Sequence, residues 1–197
     1  EPLDLALADR FAFVVRMPDW AQFTTAEQQQ LILVADTPPS PQAAPRLRQL
    51  VETGQALLPA VRRQLAPKLA EYVQAAAALL RSGGIELSAR RAATLLRNIV
   101  AVHVARLQTE PGPDVAESAL LALTHSIPDY ATGTTVEPVK LVAAHREAWK
   151  VCGLEPDSPR RLLLLETDPL LRLVLAIRTA ESIPKPEFSG IVTDALN

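Results

Sequence analysis

The residues of this sequence that are best suited to chemistry are arginines at the ends of predicted helices. Arg10 closes a short helical stretch, and Arg90 and Arg91 fall in the first turn of a longer helix that Ser88 caps. A cation in the first turn of a helix opposes the helix dipole, which costs about 0.3–1 kcal/mol. Binding an anion offsets that cost, and the planar guanidinium group suits a phosphate. The pattern therefore marks these three arginines as candidate phosphate ligands.

The same residues also have ordinary structural interpretations, which the sequence leaves open. Arg90 and Arg91 could be solvated surface residues, and Arg10 could pair with Asp9 or with a neighbouring acid. His103 lies on an apolar helical face, which is more typical of a hydrogen-bonded core histidine than of a ligand.

Other catalytic motifs are missing from the sequence. Gly83 and Gly84 are not followed by the Lys-Ser or Lys-Thr of a phosphate-binding loop, and no Gly-x-Ser-x-Gly nucleophile motif occurs. The three histidines do not share a metal-ligand spacing, and the single Cys152 has no partner. The sequence predicts neither a metal site nor a nucleophilic enzyme.

Composition favours a helical protein of the cytoplasm. Hydrophobic residues make up 48% of the 197 residues and aromatic residues only 4%, so the core is built from Leu, Ala and Val. The net charge of −2 argues against a nucleic-acid partner. The apolar runs are too short to cross a membrane, and one cysteine suits a reducing compartment.

The first 36 residues read as a small α/β stub. Residues 3–8 predict a short helix, "FAFVVRM" (residues 11–17) predicts a strand, and Thr24 with Glu27 has the spacing of a capping box that starts another helix. A lone strand cannot satisfy its backbone, so we expect its partners to come from a missing α/β core. Residues 37–45 are proline-rich and predict a linker.

The remaining sequence predicts a helical bundle with a C-terminal extension. Gly54 and several prolines are expected to separate its helices. Ser158-Pro159 and Asp168-Pro169 each read as an N-cap followed by proline at the first helical position. The predicted helices cover residues 46–51, 67–80, 89–107, 114–125 and 138–151, which places the bundle at 46–153 and the extension at 154–197.

Three stretches resemble AAA+ ATPases of the MoxR type. "LALADRFAFVV" resembles the segment after sensor 1, and "GGIELSARRAATLLRNIVAVHVARL" resembles the opening of the sensor 2 helix of the lid. "PGPDVAESALLALTHSIPDY" is similar to the next lid helix. Their order agrees with the family over residues 3–130. The resemblance implies a mainly α fold, a lid-like bundle that carries the remnant of an α/β core.

The resemblance also implies roles for the arginines. Arg10 would be the arginine finger offered in trans to ATP held by a neighbouring subunit. Arg90 would be sensor 2, which contacts the γ-phosphate in its own subunit, with Arg91 as the alternative. The sequence departs from the family at Ala89, where the family has proline. The Walker A and Walker B motifs and sensor 1 would all precede Glu1.

The function implied is that of a mechanical ATPase. The parent protein would use ATP and Mg²⁺ in a ring, expected to be a hexamer, and would remodel a client protein complex. This fragment alone would bind neither and would be inactive. The alternative hypothesis is a helical adaptor with no nucleotide role. In that case residues 162–183 would bind the partner and both Arg10 and Arg90 would lie in internal ion pairs.

Overall fold

The protein is a mainly helical bundle, which confirms the predicted fold class. The computed structural model describes residues 2–16, 18–35, 43–128, 130–133, 135–155, 157–166, 168–183 and 185–196. The helices of these residues are α1 (Leu5–Ala8), α2 (Thr25–Ala35), α3 (Ala43–Ser82), α4 (Ala89–Thr109), α5 (Val115–Ser126), α6 (Pro138–Val151), α7 (Pro159–Leu165), α8 (Pro169–Arg178) and α9 (Lys185–Leu196).

Helices α3 to α6 form the main bundle around one apolar core. Helix α4 packs against α3 and α5, and α6 packs against the same two helices. The helices meet through small and aliphatic side chains, which are completely buried at positions such as Leu69, Ala76, Ile99 and Leu123. Alanine at these contacts lets helices approach closely, so a sequence poor in aromatic residues still packs a dense core.

Helix α3 corrects the expectation that glycine and proline break this region into short helices. It runs for 40 residues, about 60 Å, and contains Gly54, Pro59 and Pro67. Helix α3 continues through Gly54, which faces α4: a Cβ atom added there would lie 3.0 Å from Nε2 at the flexible end of Gln108 and 3.7 Å from Val104 Cγ1. Both prolines lie on exposed positions of α3.

The predicted N-terminal strand is wrong for residues 11–16, and Met17 lies outside the described residues. No strand occurs among the residues that the structure describes. This stretch lies instead against the bundle, where the Val14 N–H donates to the His125 carbonyl at 2.8 Å and the Asn98 amide donates to the Ala12 carbonyl at 2.5 Å. A carbonyl of α5 and a side-chain amide of α4 thus bond this backbone in place of a neighbouring strand. We call residues 2–16 the arm.

The predicted capping box is confirmed, and the predicted linker is only partly described. The Thr24 N–H donates to Glu27 Oε2 at 2.7 Å, and the Glu27 N–H donates to Thr24 Oγ1 at 3.3 Å. Residues 37–42 of the linker lie outside the described residues. Helix α3 begins at Ala43, so Pro45 occupies its first turn, where proline is tolerated.

Helices α7 to α9 form the C-terminal unit. Leu163, Ala176, Ile183 and Ile191 form its own small apolar cluster, whereas the buried Leu164 of α7 packs in the core of the main bundle. Asp168 caps α8 as predicted. Helix α7 attaches the unit to α3, partly through Arg161, whose Nη1 lies 3.4 Å from Glu71 Oε2. Within the described ranges, none of the helices is both long enough and apolar enough to cross a bilayer.

Candidate functional site

A buried arginine joins the arm to the start of α4. Arg91 is only 1% exposed, and its guanidinium group donates to three acceptors of the arm. Nη2 donates to the Ala8 carbonyl at 2.6 Å, Nη1 to the Phe11 carbonyl at 2.7 Å, and Nε to Asp9 Oδ1 at 3.2 Å. A buried charge is tolerated only when it is paired and hydrogen-bonded, and Arg91 meets both conditions.

Ser88 completes this arrangement from the N-cap position of α4. Its hydroxyl donates to Asp9 Oδ2 at 2.6 Å and accepts from the Arg91 N–H at 3.0 Å. Both oxygens of the Asp9 carboxylate are therefore engaged. We call Asp9, Ser88 and Arg91 the clamp, because together they fix the arm to the first turn of α4.

Arg91 was a candidate phosphate ligand in the sequence, but in the structure it bonds the arm within the clamp. Its guanidinium group faces the interior, where it binds the arm, whereas sequence reasoning offered it as a second choice for a phosphate ligand. The partner that sequence reasoning considered for Asp9 was its neighbour Arg10. The partner found in the structure is 82 residues away, and no local pattern marks a pair at that separation.

Arg10 and Arg90 have the opposite environment. Both are exposed, and within the described part of the chain their side chains form no hydrogen bond or ion pair. Each adjoins a clamp residue in the chain, Asp9 for Arg10 and Arg91 for Arg90, so each Cα lies about 3.8 Å from that of a clamp residue. The clamp therefore places the main chain of Arg10 and of Arg90 at one corner of the molecule, and each carries an exposed side chain with no partner among the described residues. We call Arg10, Arg90 and the clamp the arginine corner.

A cavity of about 430 Å³ opens beside the clamp, with Asp9 and Arg91 in its wall. The turn between α3 and α4 forms one side, where Gly84 adopts a φ of 81° that favours glycine. The start of α6 forms another side, and there Lys140 is paired with Glu137 at 3.4 Å. The volume falls within the range of small-molecule pockets.

The other candidate residues lie in the main bundle, away from this corner. His103 Nδ1 lies 3.0 Å from Ser118 Oγ, which confirms the interpretation as a core histidine. Burial lowers the pKa of His103, and the charge of Arg106 lowers it further. The half-buried Cys152 places Sγ 3.2 Å from the Ala148 carbonyl, and burial raises the pKa of its thiol to about 11. A thiol with that pKa is a poor nucleophile near neutral pH.

A second polar cluster joins α3 to α6. Tyr72 Oη lies 2.9 Å from His145 Nδ1, and Trp149 packs edge-on against the Tyr72 ring. Lys68 Nζ sits 4.7 Å from the centre of the Trp149 ring. Burial lowers the pKa of His145 and raises that of Tyr72, so both groups are held in their neutral forms. This cluster is a packing contact with a polar centre.

Comparison with known proteins finds no match for this chain among protein-family models, curated proteins or solved structures. Among the described residues, no group of three or more histidine, cysteine, aspartate or glutamate side chains could hold a metal ion. The case for a function therefore rests on the arginine corner.

Proposed function

We propose that this chain is the C-terminal portion of a MoxR-type AAA+ ATPase, with Arg10 as its arginine finger and Arg90 as its sensor 2 residue. In this proposal the chain couples ATP hydrolysis in a cytoplasmic ring, expected to be a hexamer, to the remodelling of a client protein complex. The α/β core that holds ATP and Mg²⁺ would precede residue 1.

The observation that carries the proposal is the exposure of Arg10 and Arg90 without an acidic partner in the described part of the chain. Arg90 stands in the first turn of α4, where a cation is unfavourable unless an anion neutralises it. The adaptor hypothesis expects internal ion pairs for both residues, and neither forms one with any described residue.

The chemistry proposed for the two arginines is charge stabilisation. Guanidinium groups aimed at a γ-phosphate stabilise the negative charge that develops during phosphoryl transfer, and an arginine finger raises the rate of that step by about 10³–10⁵. Arg10 and Arg90 offer cations at the corner, and the Asp9 carboxylate is already engaged by Arg91 and Ser88. Mg²⁺ would therefore be held by acidic residues of the core.

The test is the ATPase turnover of the complete gene product that carries this chain. Arg10→Ala and Arg90→Ala should each lower turnover at least about 100-fold. Arg97→Ala is the matched control for Arg90→Ala, because Arg97 is an exposed arginine of the same helix whose partner among the described residues is Thr94. Full turnover in both Arg10→Ala and Arg90→Ala, or a gene product without ATPase activity, would reject the proposal.

One feature of the structure favours the adaptor as a second candidate. Helix α8 exposes a stripe of large apolar side chains, and each of the four is more than half exposed: Leu170, Leu171, Val174 and Ile177. Exposed apolar patches often mark protein interfaces. A partner that binds the native chain and is lost from Leu171→Lys, while ATPase activity is absent throughout, would support this candidate over the first.

A further inference from the structure

We propose that the exposed face of α8 pairs with the same face of a second copy of this chain, with the two helices antiparallel and a twofold axis beside Val174. This inference goes beyond the proposed function and does not rest on it. In a ring the contact would join chains of two different rings, because the contacts within a ring run head to tail.

The first step is the arrangement of the side chains on α8. Leu170, Val174 and Arg178 follow one another at four-residue intervals, so they lie in one line along the helix. Leu171 and Ile177 lie on opposite sides of that line. The four apolar side chains are each more than half exposed. Helix α8 therefore presents an apolar face with Val174 at its centre.

The second step is the charge at the two ends of this face. Asp168 is the exposed N-cap of α8, and its Oδ1 accepts from the Leu170 N–H at 2.9 Å and from the Leu171 N–H at 3.1 Å. Arg178 is exposed in the last turn, and its side chain has no hydrogen bond or ion pair with any residue that the structure describes. One end of the face is therefore negative and the other end is positive.

The third step is the orientation in which a second copy fits this pattern. In an antiparallel pair centred on Val174, Arg178 of each copy approaches Asp168 of the other copy. The same pairing places Leu170 beside Ile177 of the other copy, so apolar side chains also meet. A parallel pair would instead bring two Arg178 side chains together, and like charges in contact oppose binding. The charges therefore favour the antiparallel pair.

The size of the face indicates a weak dimer. A helix of 10 residues is about 15 Å long, and two such helices bury less than the roughly 1,600 Å² of a standard interface. We expect a dissociation constant on the order of 10⁻⁴ M. At the micromolar concentrations of a urea denaturation experiment the chain is then a monomer, and the face of α8 is bare.

The first experiment is sedimentation equilibrium of the native chain from about 10 µM to about 1 mM, over which the dimer should form. Val174→Lys places two cations at the twofold axis and should weaken association at least about tenfold. Val51→Lys is the matched control, because Val51 of α3 is about as exposed as Val174. A native chain that stays monomeric at about 1 mM would overturn the proposal. So would a Val174→Lys variant that associates as strongly as Val51→Lys.

A double-mutant cycle tests the charges and does not depend on the folding of Val174→Lys. Asp168→Ser removes the carboxylate but keeps a side-chain acceptor at the N-cap, and Arg178→Gln keeps a good helix former. Each should weaken association about three- to tenfold at low salt, and the double variant should lose little more. Arg146→Gln, which removes an exposed arginine of α6, controls for net charge. Fully additive losses would show that Asp168 and Arg178 do not meet across the dimer.

Disulfide cross-linking distinguishes the two orientations. In a Cys152→Ser background, Leu170→Cys chains should cross-link under mild oxidation with Ile177→Cys chains that a terminal tag has lengthened. Leu170→Cys chains should not cross-link with one another, because the antiparallel pair holds their two Cβ atoms too far apart for a disulfide. Self-cross-linking of Leu170→Cys would indicate a parallel pair and contradict the proposal. A chain that is monomeric in all three experiments would leave the face to the different protein that the adaptor hypothesis expects.

Discussion

The main bundle and the C-terminal unit differ in the size of their apolar cores and in how much apolar surface they leave exposed. The main bundle surrounds a continuous apolar core and also buries polar groups that have partners, Arg91, Asn98 and His103 among them. The C-terminal unit has a small core around Leu163 and leaves a face of α8 bare.

The difference indicates where each region gets its stability and where it can still bind something. Polar residues inside the main bundle fix one arrangement, because each of them loses a specific hydrogen bond if the helices shift. The C-terminal unit has a small apolar cluster of its own and is attached to the main bundle through Leu164 and Arg161 of α7. The stability of α8 and α9, which lie beyond that attachment, is expected to be lower and more local. Four predictions test this contrast, from the largest effect to the smallest.

Removal of the Arg91 guanidinium group should lower the free energy of unfolding more than the other substitutions. Arg91→Met leaves the Asp9 carboxylate and two arm carbonyls without their donor, and breaking a buried ion pair costs about 3–5 kcal/mol of unfolding free energy. Urea denaturation measures that loss. The neighbouring Arg90→Met should change the free energy of unfolding by no more than about 0.5 kcal/mol, since Arg90 is exposed. Equal losses in the two variants would show that the clamp does not stabilise the bundle.

Leucine-to-alanine substitutions that create similar cavities in the two cores should distinguish the global stability of the main bundle from the local stability of the C-terminal unit. Leu123 and Leu163 are both completely buried, the first in the main bundle and the second in the C-terminal unit. Leu123→Ala should lower the global free energy of unfolding by about 2–5 kcal/mol. Leu163→Ala should mainly increase hydrogen exchange in α8 and α9, with a smaller global loss. A global loss as large as that of Leu123→Ala would mean that the two regions unfold as one.

The sequence predicted helices well where local chemistry sets their ends. Ser88 caps α4 as expected, because a side-chain acceptor near the first turn is a short-range signal. Asp114, which was predicted as the first residue of its helix, is instead the N-cap of α5. The prediction that Gly54 and the prolines divide this region into short helices was wrong. Packing of α3 against α4 outweighs their low helix propensity. The prediction of a strand was wrong because the hydrogen-bond partners of this backbone, such as the Asn98 side-chain amide, come from a helix that is distant in the sequence.

The arginine corner was predictable only in part. The sequence pointed to Arg10 and Arg90 as exposed cations at helix ends, and both are exposed. Helical spacing carried a signal that Arg91 turns inward, because Arg91 lies on the same face of α4 as the buried Leu95 and Asn98, four and seven residues later. Its partners on the arm, 80 or more residues away in the sequence, had no local signal.

Acid should weaken the main bundle through His103 and His145. The pKa values of His103 and His145 are both lowered by burial, so the unfolded chain binds protons more readily than the folded one. Their contribution to stability is complete above about pH 6.5 and is lost as the pH falls through their lowered folded-state values, at up to about 1.4 kcal/mol per pH unit for each histidine.

Urea denaturation between pH 7.5 and 5 measures this slope. His145→Gln should reduce the slope, because it removes one of the two histidines whose pKa values burial lowers. Amide exchange in the C-terminal unit should respond less, since neither histidine lies there. A slope that is unchanged in His145→Gln would show that His145 does not titrate in this range.

The smallest effect should come from the bare face of α8. Leu171 is 54% exposed and Val174 is 51% exposed, so Leu171→Gln and Val174→Gln remove little buried apolar area and should change the free energy of unfolding by no more than about 0.5 kcal/mol. Leu163→Ala is the buried counterpart in the same unit. A loss above about 1 kcal/mol in either glutamine variant would mean that this face is covered in solution. If that loss disappears on dilution, the cover is a second copy of the chain, because only association depends on protein concentration.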